Sequence, residues 1–167
     1  MPTEAIPVWV GLGSNLGKPI AQIQRALAEL ADLPDTRLLR HSSLFRSPPM
    51  GPQDQPDFIN AVALLETALD AQALLRFLKQ IEQLHERETT RHWGERTLDL
   101  DLLVYGASIV DEPGLTVPHP GIPQRAFVLY PLVEISPELE VPGFGPVTAL
   151  LAALPLHAVA RRLEDPE

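Results

Sequence analysis

The sequence feature that most constrains the fold is the stretch RTLDLDLLVY at residues 96–105, in which two aspartates alternate with leucines. Side chains alternate across a β-strand, so Asp99 and Asp101 should share one face, opposite an apolar face formed by Leu98, Leu100, Leu102 and Val104. The apolar face requires a core. On the other face the two carboxylates would be roughly 6–7 Å apart, and burying them in the sheet would be costly without a counter-charge. Either the aspartates lie at the surface beside arginine side chains, or they bind a cation. We favour a cation site, because oxygen-only carboxylate pairs suit Mg²⁺.

Composition limits the kind of protein to which such a strand can belong. The chain has 167 residues, of which 45% are apolar, so we expect a single folded domain over residues 1–167. It has no cysteine, which excludes disulfides, thiolate metal sites and a cysteine nucleophile. The sequence shows no signal-peptide pattern and no apolar run long enough to span a bilayer. We therefore expect a cytoplasmic protein with no membrane partner, and we expect a monomer.

The charge distribution points to phosphate. A net charge of −9 disfavours a nucleic-acid partner, which would require a basic surface. Within this acidic chain, Arg87, Arg91 and Arg96 fall close together just before the two aspartates, with His92 among them. A basic cluster beside an acidic pair is typical of a site that binds phosphate together with a metal ion.

Hydrophobic periodicity predicts the element order βαββαβ up to Tyr105. The strands are expected at residues 7–12, 36–45, 58–69 and 96–105, and the helices at residues 20–33 and 70–87. This order is typical of the ferredoxin-like α+β fold, in which the helices pack on an antiparallel sheet. Beyond Tyr105 we expect a hairpin, which could extend the sheet, a helix at residues 124–133 and one or two short helices between residues 146 and 163.

The glycine-rich segment at residues 13–19 joins the first strand to the first helix. It does not fit a Walker A loop, which requires Ser or Thr after Lys18, nor a dinucleotide fingerprint, whose third glycine would stand at Leu16. We interpret the segment as a turn in which the glycines allow unusual backbone angles.

The second helix carries side chains whose roles the pattern leaves open. The helix should begin at an Asp70 cap and bury Leu84. Glu82 and His85 could simply lie on its solvent face, and Arg87 could complement the helix dipole at its C-terminal end.

Four stretches together carry a family resemblance: GLGSNL at residues 11–16, RSPPMGPQDQPDFIN at 46–60, HWGERTLDLDLL at 92–103 and TVPH at 116–119. In this order they resemble the hydroxymethyl-dihydropterin pyrophosphokinases of folate biosynthesis, and the resemblance extends from residue 8 to about residue 137. It implies transfer of pyrophosphate from ATP to the hydroxymethyl group of 6-hydroxymethyl-7,8-dihydropterin, with release of AMP.

The resemblance also implies roles for individual residues. Asp99 and Asp101 would bind two Mg²⁺ ions and act in catalysis together with Arg87 and Arg96, and Asp101 would be the general base if one is needed. ATP would be bound by Glu82, Arg96, Thr116, His119 and Arg125. The pterin would be bound by Ser47, Pro49, Gly51, Phe58, Asn60, Trp93 and Phe127. The alternatives are a loop histidine bonded to a backbone carbonyl for His119, and core packing for the two phenylalanines.

Several positions depart from the family pattern. Phe58 stands where the best-known members have tyrosine, and His92 stands where they have arginine. The Pro113–Gly114 turn replaces an arginine, and Pro120 replaces a tyrosine. The ATP side therefore has fewer matching residues than the pterin side.

Two other functional classes are compatible with the predicted fold. A ferredoxin-like regulatory domain would bind a small effector without magnesium, but it leaves the aspartate pair and the arginine cluster unexplained. An RNA-binding domain of the same topology is disfavoured by the net charge.

Overall fold

The computed structural model describes residues 5–15, 18–48, 56–85, 98–155, 158 and 160–163. The first part of the chain forms β1 (Ile6–Ser14), α1 (Pro19–Ala31), β2 (Thr36–His41), β3 (Phe45–Ser47), β4 (Phe58–Thr67), α2 (Ala71–His85) and β5 (Asp99–Tyr105). The remainder forms β6 (Val110–Glu112), β7 (Leu115–Val117), a 3-10 turn (Ile122–Gln124), α3 (Ala126–Ile135), β8 (Glu140–Val141), β9 (Gly145–Pro146), α4 (Val147–Ala152) and β10 (Arg161–Arg162).

The main sheet is antiparallel and has six strands in the described part of the chain. Its order is β10-β3-β4-β1-β5, and β2 also pairs with β4. The long strands β1 and β4 are therefore central, and β5 lies at an edge. This arrangement confirms the prediction of an antiparallel sheet with helices packed on it.

The two faces of the sheet bury different cores. On one face, α1 and α2 pack on alternate residues of β1, β4 and β5, such as Val8, Leu65 and Leu100. On the other face, α3, the 3-10 turn and α4 pack on Trp9, Val62 and their neighbours. The strand period of two places the two sets of side chains on opposite sides. No described helix has both the length and the apolar composition needed to cross a lipid bilayer.

The predicted second strand is in fact two strands, β2 and β3. Ser42 separates them: its N–H donates to the Val62 carbonyl at 2.8 Å, and its hydroxyl accepts the Val62 N–H at 2.9 Å. Because a side-chain oxygen replaces the backbone carbonyl at this point, the regular ladder is interrupted. Sequence periodicity does not register such a substitution.

The elements after Tyr105 also differ from the prediction. β6 and β7 pair with each other in a separate two-stranded sheet, so the hairpin does not extend the main sheet. Of the short C-terminal helices, α4 is present, but Arg161 and Arg162 form β10, which pairs with Phe45 and Arg46 of β3. The exposed hydrogen-bonding edge of β3 explains why this segment is extended.

Because of a register shift in β5, its apolar face is not formed by the four side chains that the sequence predicted. The pairing of β1 with β5 slips between Trp9 and Val10, so that Trp9 is opposite Val104 and Val10 is opposite Leu102. Val104 therefore joins the core beneath α3, whereas Leu98, Leu100 and Leu102 pack under α1 and α2. A bulge of one residue reverses the face of the side chains that follow it.

The second helix begins as predicted, because Asp70 Oδ1 accepts the Ala73 N–H at 2.7 Å. Leu84 is placed contrary to the prediction, and His85, for which the sequence left a solvent-facing position open, is buried. Leu84 is 67% exposed, whereas His85 is buried between the helices. The His85 ring bonds Gln22 through Nδ1 and Glu29 through Nε2, so it joins α2 to α1.

Candidate active site

Asp99 and Asp101 lie on the edge strand β5, on the face of the sheet that also carries α3. Their cross-strand neighbours on β1 are Gly13 and Gly11, respectively. The Asp101 side chain is 41% exposed, and its Oδ2 lies 3.7 Å from Nη1 of Arg125. The carboxylate is therefore open to solvent and has an arginine neighbour, as the surface alternative expected, and the cation site stays a prediction.

The donor chemistry of this pair fits a magnesium ion. Mg²⁺ prefers carboxylate oxygens and is usually held by one or two carboxylates together with substrate phosphates. Among the described residues no group of three or more acidic or histidine side chains forms a closed metal site. A pair open to solvent is suited to share an ion with a ligand rather than to enclose it.

Glu82 binds the backbone of β5 between the two aspartates. Its Oε2 accepts the Leu100 N–H at 2.7 Å, so the side chain is turned toward the sheet and not toward solvent. Burial raises the Glu82 pKa to about 7, the Leu100 N–H lowers it, Asp99 raises it, Lys79 lowers it and Asp101 raises it. The carboxyl group thus lies close to the aspartates and shares their electrostatic environment.

His119 joins the loop before α3 to β5. Its backbone N–H donates to the Leu103 carbonyl at 2.8 Å. Its Nδ1 accepts the Gly121 N–H at 2.9 Å, so the ring bonds a backbone amide and not the carbonyl of the alternative interpretation. The neutral ring then carries its proton on Nε2. Burial lowers the His119 pKa, which Asp101 raises and Arg125 lowers.

Gly121 leaves room for the close approach of Arg125. A Cβ atom on Gly121 would lie 2.6 Å from Arg125 Nε and 3.1 Å from His119 Cε1. Glycine therefore allows the guanidinium and the imidazole to lie side by side over the loop backbone. Arg125 precedes α3, and its Cζ is 5.6 Å from the ring centroid of Phe127, so one side chain contacts both a carboxylate and an aromatic ring.

Asn60 and Ser47 form a buried polar pair on the neighbouring strands. The two side chains are 5% and 3% exposed, and Ser47 Oγ donates to Asn60 Oδ1 at 2.6 Å. In the described part of the chain, Asn60 Nδ2 donates no hydrogen bond. Phe58, half-buried, precedes Asn60 by two residues on the same face of β4. An amide donor beside an aromatic ring is suited to the edge and face of a flat heterocycle.

The structure brings together most of the predicted site residues that it describes. Thr116 differs from the others, because it lies on β7 of the small sheet and its side chain is exposed. The predicted site residues Pro49, Gly51, Arg87, Trp93 and Arg96 lie outside the described residues.

The sequence interpretation missed the two glycines of β1. Gly13 was assigned to a turn with unusual angles, but β1 continues through Ser14 and neither Gly11 nor Gly13 has a positive φ. Their separation by two residues is the same as that of the aspartates. This shared period is the signal that could have placed both glycines on the aspartate face of the sheet, where Gly13 lies beside the Asn60 amide and Gly11 lies beside Leu103.

Comparison with known proteins gives one family. Residues 9–137 match the sequence model of 7,8-dihydro-6-hydroxymethylpterin-pyrophosphokinase. A 2-amino-4-hydroxy-6-hydroxymethyldihydropteridine pyrophosphokinase of Pseudomonas aeruginosa is 47% identical over 154 residues, which cover 92% of this chain and 95% of that protein. A protein of the same name from Haemophilus influenzae is 43% identical over 156 residues, which cover 93% and 98%.

A solved structure supports the fold. Wild-type HPPK-DHPS of Plasmodium falciparum with pteroate matches with a TM-score of 0.71 at 13% identity, covering 91% of this chain and 43% of that chain. At this level of identity the likeness concerns the fold alone. The extent of the sequence matches is decisive, and the chain belongs to the 7,8-dihydro-6-hydroxymethylpterin-pyrophosphokinase family, as its motifs predicted.

Proposed function

We propose that the chain transfers pyrophosphate from ATP to the hydroxymethyl group of 6-hydroxymethyl-7,8-dihydropterin in folate biosynthesis. The family and both bacterial relatives carry the name of this pyrophosphokinase, which confirms the predicted reaction. The pterin hydroxyl oxygen forms a bond to the β-phosphorus of ATP. The bond from that phosphorus to the α,β-bridging oxygen breaks, and AMP leaves with the bonding electrons.

The observation that carries the proposal is the buried Asn60 amide, whose Nδ2 donates no hydrogen bond within the described residues. Leaving a buried donor unpaired costs roughly 1–3 kcal/mol, so a donor at 5% exposure favours a ligand that accepts from it. A pterin offers ring nitrogens and a carbonyl oxygen as acceptors for Nδ2. Phe58 and Phe127 are proposed to stack against the two sides of the ring, and Ser47 holds the Asn60 amide in orientation.

The carboxylates of Asp99 and Asp101 are proposed to hold two Mg²⁺ ions. The fit rests on their position on a solvent-accessible edge strand and on their oxygen-only donor set. When bound, magnesium neutralises phosphate charge as pyrophosphate is transferred. Asp101, whose carboxylate is exposed, is the proposed base if the hydroxyl requires one.

The ATP phosphates are proposed to lie along the side of the site that Arg125 and His119 form. Guanidinium groups match phosphate oxygens, and Nε2 of neutral His119 offers an N–H donor. Glu82 and Thr116 are proposed to contact the nucleotide, and Arg87 and Arg96 are proposed to add further positive charge at the triphosphate.

Other parts of the proposal concern the protein as a whole. The strand order β3-β4-β1-β5 with α1 and α2 on one face supports the ferredoxin-like classification of the core. We propose a single domain over residues 1–167 that acts as a monomer in the cytoplasm, with neither a nucleic acid nor a membrane as partner.

The reaction is tested by incubating the protein with ATP, Mg²⁺ and the hydroxymethyl-dihydropterin and separating the nucleotides. AMP and the pterin pyrophosphate should form in equal amounts, and omission of Mg²⁺ should prevent both. ADP as the product would instead indicate a simple kinase. Binding of the pterin without any Mg²⁺-dependent turnover would favour the alternative of a regulatory domain.

A further inference from the structure

Gly13 lies between the two halves of the proposed site. Its cross-strand neighbours are Asp99 on β5 and Asn60 on β4. Adjacent strands are about 4.8 Å apart, so β1 alone separates the carboxylates from the amide that is proposed to bind the ring. Gly13 is the residue of β1 that lies at this level of the sheet.

The Asn60 amide lies directly over Gly13. A Cβ atom on Gly13 would stand 3.0 Å from Asn60 Nδ2 and 3.8 Å from Phe58 Cδ1. A separation of 3.0 Å is tighter than ordinary side-chain packing, so an added methyl group would require the amide to shift by a few tenths of an ångström. This Nδ2 is the buried donor that has no partner within the described residues.

Backbone conformation does not account for this glycine. The described glycines with a positive φ are Gly106, Gly114, Gly143 and Gly145, and Gly13 is a regular strand residue. Glycine in the interior of a strand weakens it, and it often marks the close approach of another group. The group that approaches here is the Asn60 side chain.

Gly11 provides a contrast on the same strand and the same face. A Cβ atom on Gly11 would lie 3.4 Å from Leu103 Cδ1 and 3.5 Å from Leu103 Cδ2, and the three atoms nearest to it are all side-chain carbons of Leu103. These are ordinary van der Waals contacts with a side chain. The packing around the two glycines therefore differs: at Gly13 a methyl group would meet the Asn60 amide, and at Gly11 it would meet leucine.

We propose that Gly13 is a positioning residue for the pterin. Because it has no side chain, the Asn60 amide can lie over β1 and direct Nδ2 into the site, which sets how close the bound ring stands to the carboxylates of β5. The inference rests on the proposed function, since it assigns the ligand of Asn60 as the pterin.

The test compares Gly13→Ala with the matched control Gly11→Ala. Pterin is titrated by calorimetry into enzyme saturated with Mg²⁺ and α,β-methylene-ATP, in which the bond that would break cannot be cleaved. Gly13→Ala should weaken pterin binding about tenfold or more, because the buried amide loses its geometry. The affinity for the ATP analogue should stay within about twofold of the wild-type value, and Gly11→Ala should leave both affinities within about twofold.

A double variant separates positioning from a general loss of structure. Asn60→Ala removes the group that the methyl would meet, so adding Gly13→Ala to it should cause no further loss of pterin affinity. The double variant has room for the methyl group even if Gly13→Ala alone folds poorly.

Three results would overturn the inference: unchanged pterin affinity in Gly13→Ala, equal weakening of both ligands, or a further loss in the double variant. AMP formation by the wild-type enzyme checks the proposed reaction separately, so a failure of the reaction and a failure of this inference give different results.

Discussion

The two faces of β1 differ in what they contact: one packs in the hydrophobic core, and the other lies beside the proposed ligand site. On one face, Val8, Val10 and Leu12 are at most 2% exposed and pack under α1 and α2. On the other face, Trp9 is followed by Gly11 and Gly13, which have no side chains, and the proposed ligand site begins beside Gly13. The burial of the first face holds the strand in place, so the second face can remain free of side chains without loss of the sheet.

The largest expected effect on activity is at Asp99 and Asp101 of β5, which lie on the same face of the sheet as Gly11 and Gly13. Asp99→Ala or Asp101→Ala should reduce turnover by about 10³-fold or more, because the metal ligands and their charge are removed. The exposed Asp32→Ala, at the end of α1, is the control and should keep wild-type activity. AMP release measures the effect, and thermal melting should show that all three variants remain folded. Turnover within about tenfold of wild type in either site variant would contradict the metal role.

On the folding face the corresponding change is Leu78→Ala. Leu78 is completely buried on α2, so its truncation should lower the free energy of unfolding by about 2–5 kcal/mol. Turnover of the folded protein should be unchanged, which is the opposite of the aspartate result. Leu84→Ala on the same helix is the control: its side chain is 67% exposed, and the change should be within about 0.5 kcal/mol. Urea denaturation measures both, and equal losses would contradict the burial difference.

Asn60→Ala tests a residue that belongs to both categories, because it is buried but faces the site. It should weaken pterin binding about 10–100-fold by removing the donor and the acceptor, while the affinity for an ATP analogue is retained. Ser47→Ala removes only the group that orients the amide and should cause a smaller loss. Calorimetric titration with each ligand measures the difference. If the two ligands weakened together, Asn60 would be a structural residue and not a pterin contact.

The smallest expected effect concerns the pH dependence of stability. Burial raises the Glu82 pKa from 4.5 to about 7 in the folded protein. Below pH 4.5 the carboxyl is protonated in both states, so it imposes no penalty. Between about pH 4.5 and 7 the unfolded chain loses its proton more readily, and stability falls. Because the side chain is partly exposed, the loss should be about 1–2 kcal/mol.

Glu82→Gln keeps an acceptor for the Leu100 N–H and removes the titration. In the presence of a chelator, it should flatten the decline in stability between pH 4.5 and 7, as measured by urea denaturation at several pH values. Glu112→Gln, an exposed carboxylate on β6, is the control. A decline of unchanged size in Glu82→Gln would show that another group titrates.

The sequence predicted the features that depend on periodicity. The alternation around Asp99 and Asp101 and the helical spacing of Leu74 and Leu78 follow from local geometry, and the structure agrees with both. The family motifs identified the reaction, because they combine chemistry that periodicity alone does not carry. The resemblance assigned Asn60 to the pterin, and the structure adds that its Oδ1 accepts a hydrogen bond from Ser47.

The features that the sequence left open or predicted wrongly depend on partners distant in the sequence. His85 is buried because Gln22 and Glu29, on another helix, bind both of its ring nitrogens. The second strand is broken because the Ser42 hydroxyl bonds the backbone of β4. Val104 changes face because one residue bulges from the pairing with β1. None of these causes leaves a local pattern, so they become visible only when the sheet is assembled.

The way in which the edges of the main sheet are covered should reduce aggregation. A bare strand edge invites another chain to pair with it, which promotes aggregation. Here β10 covers β3, and at β5 the Glu82 carboxylate occupies the outward Leu100 N–H. At this edge the Leu100 N–H already has a side-chain partner and is not available to a foreign strand, while the adjoining surface stays open to small ligands.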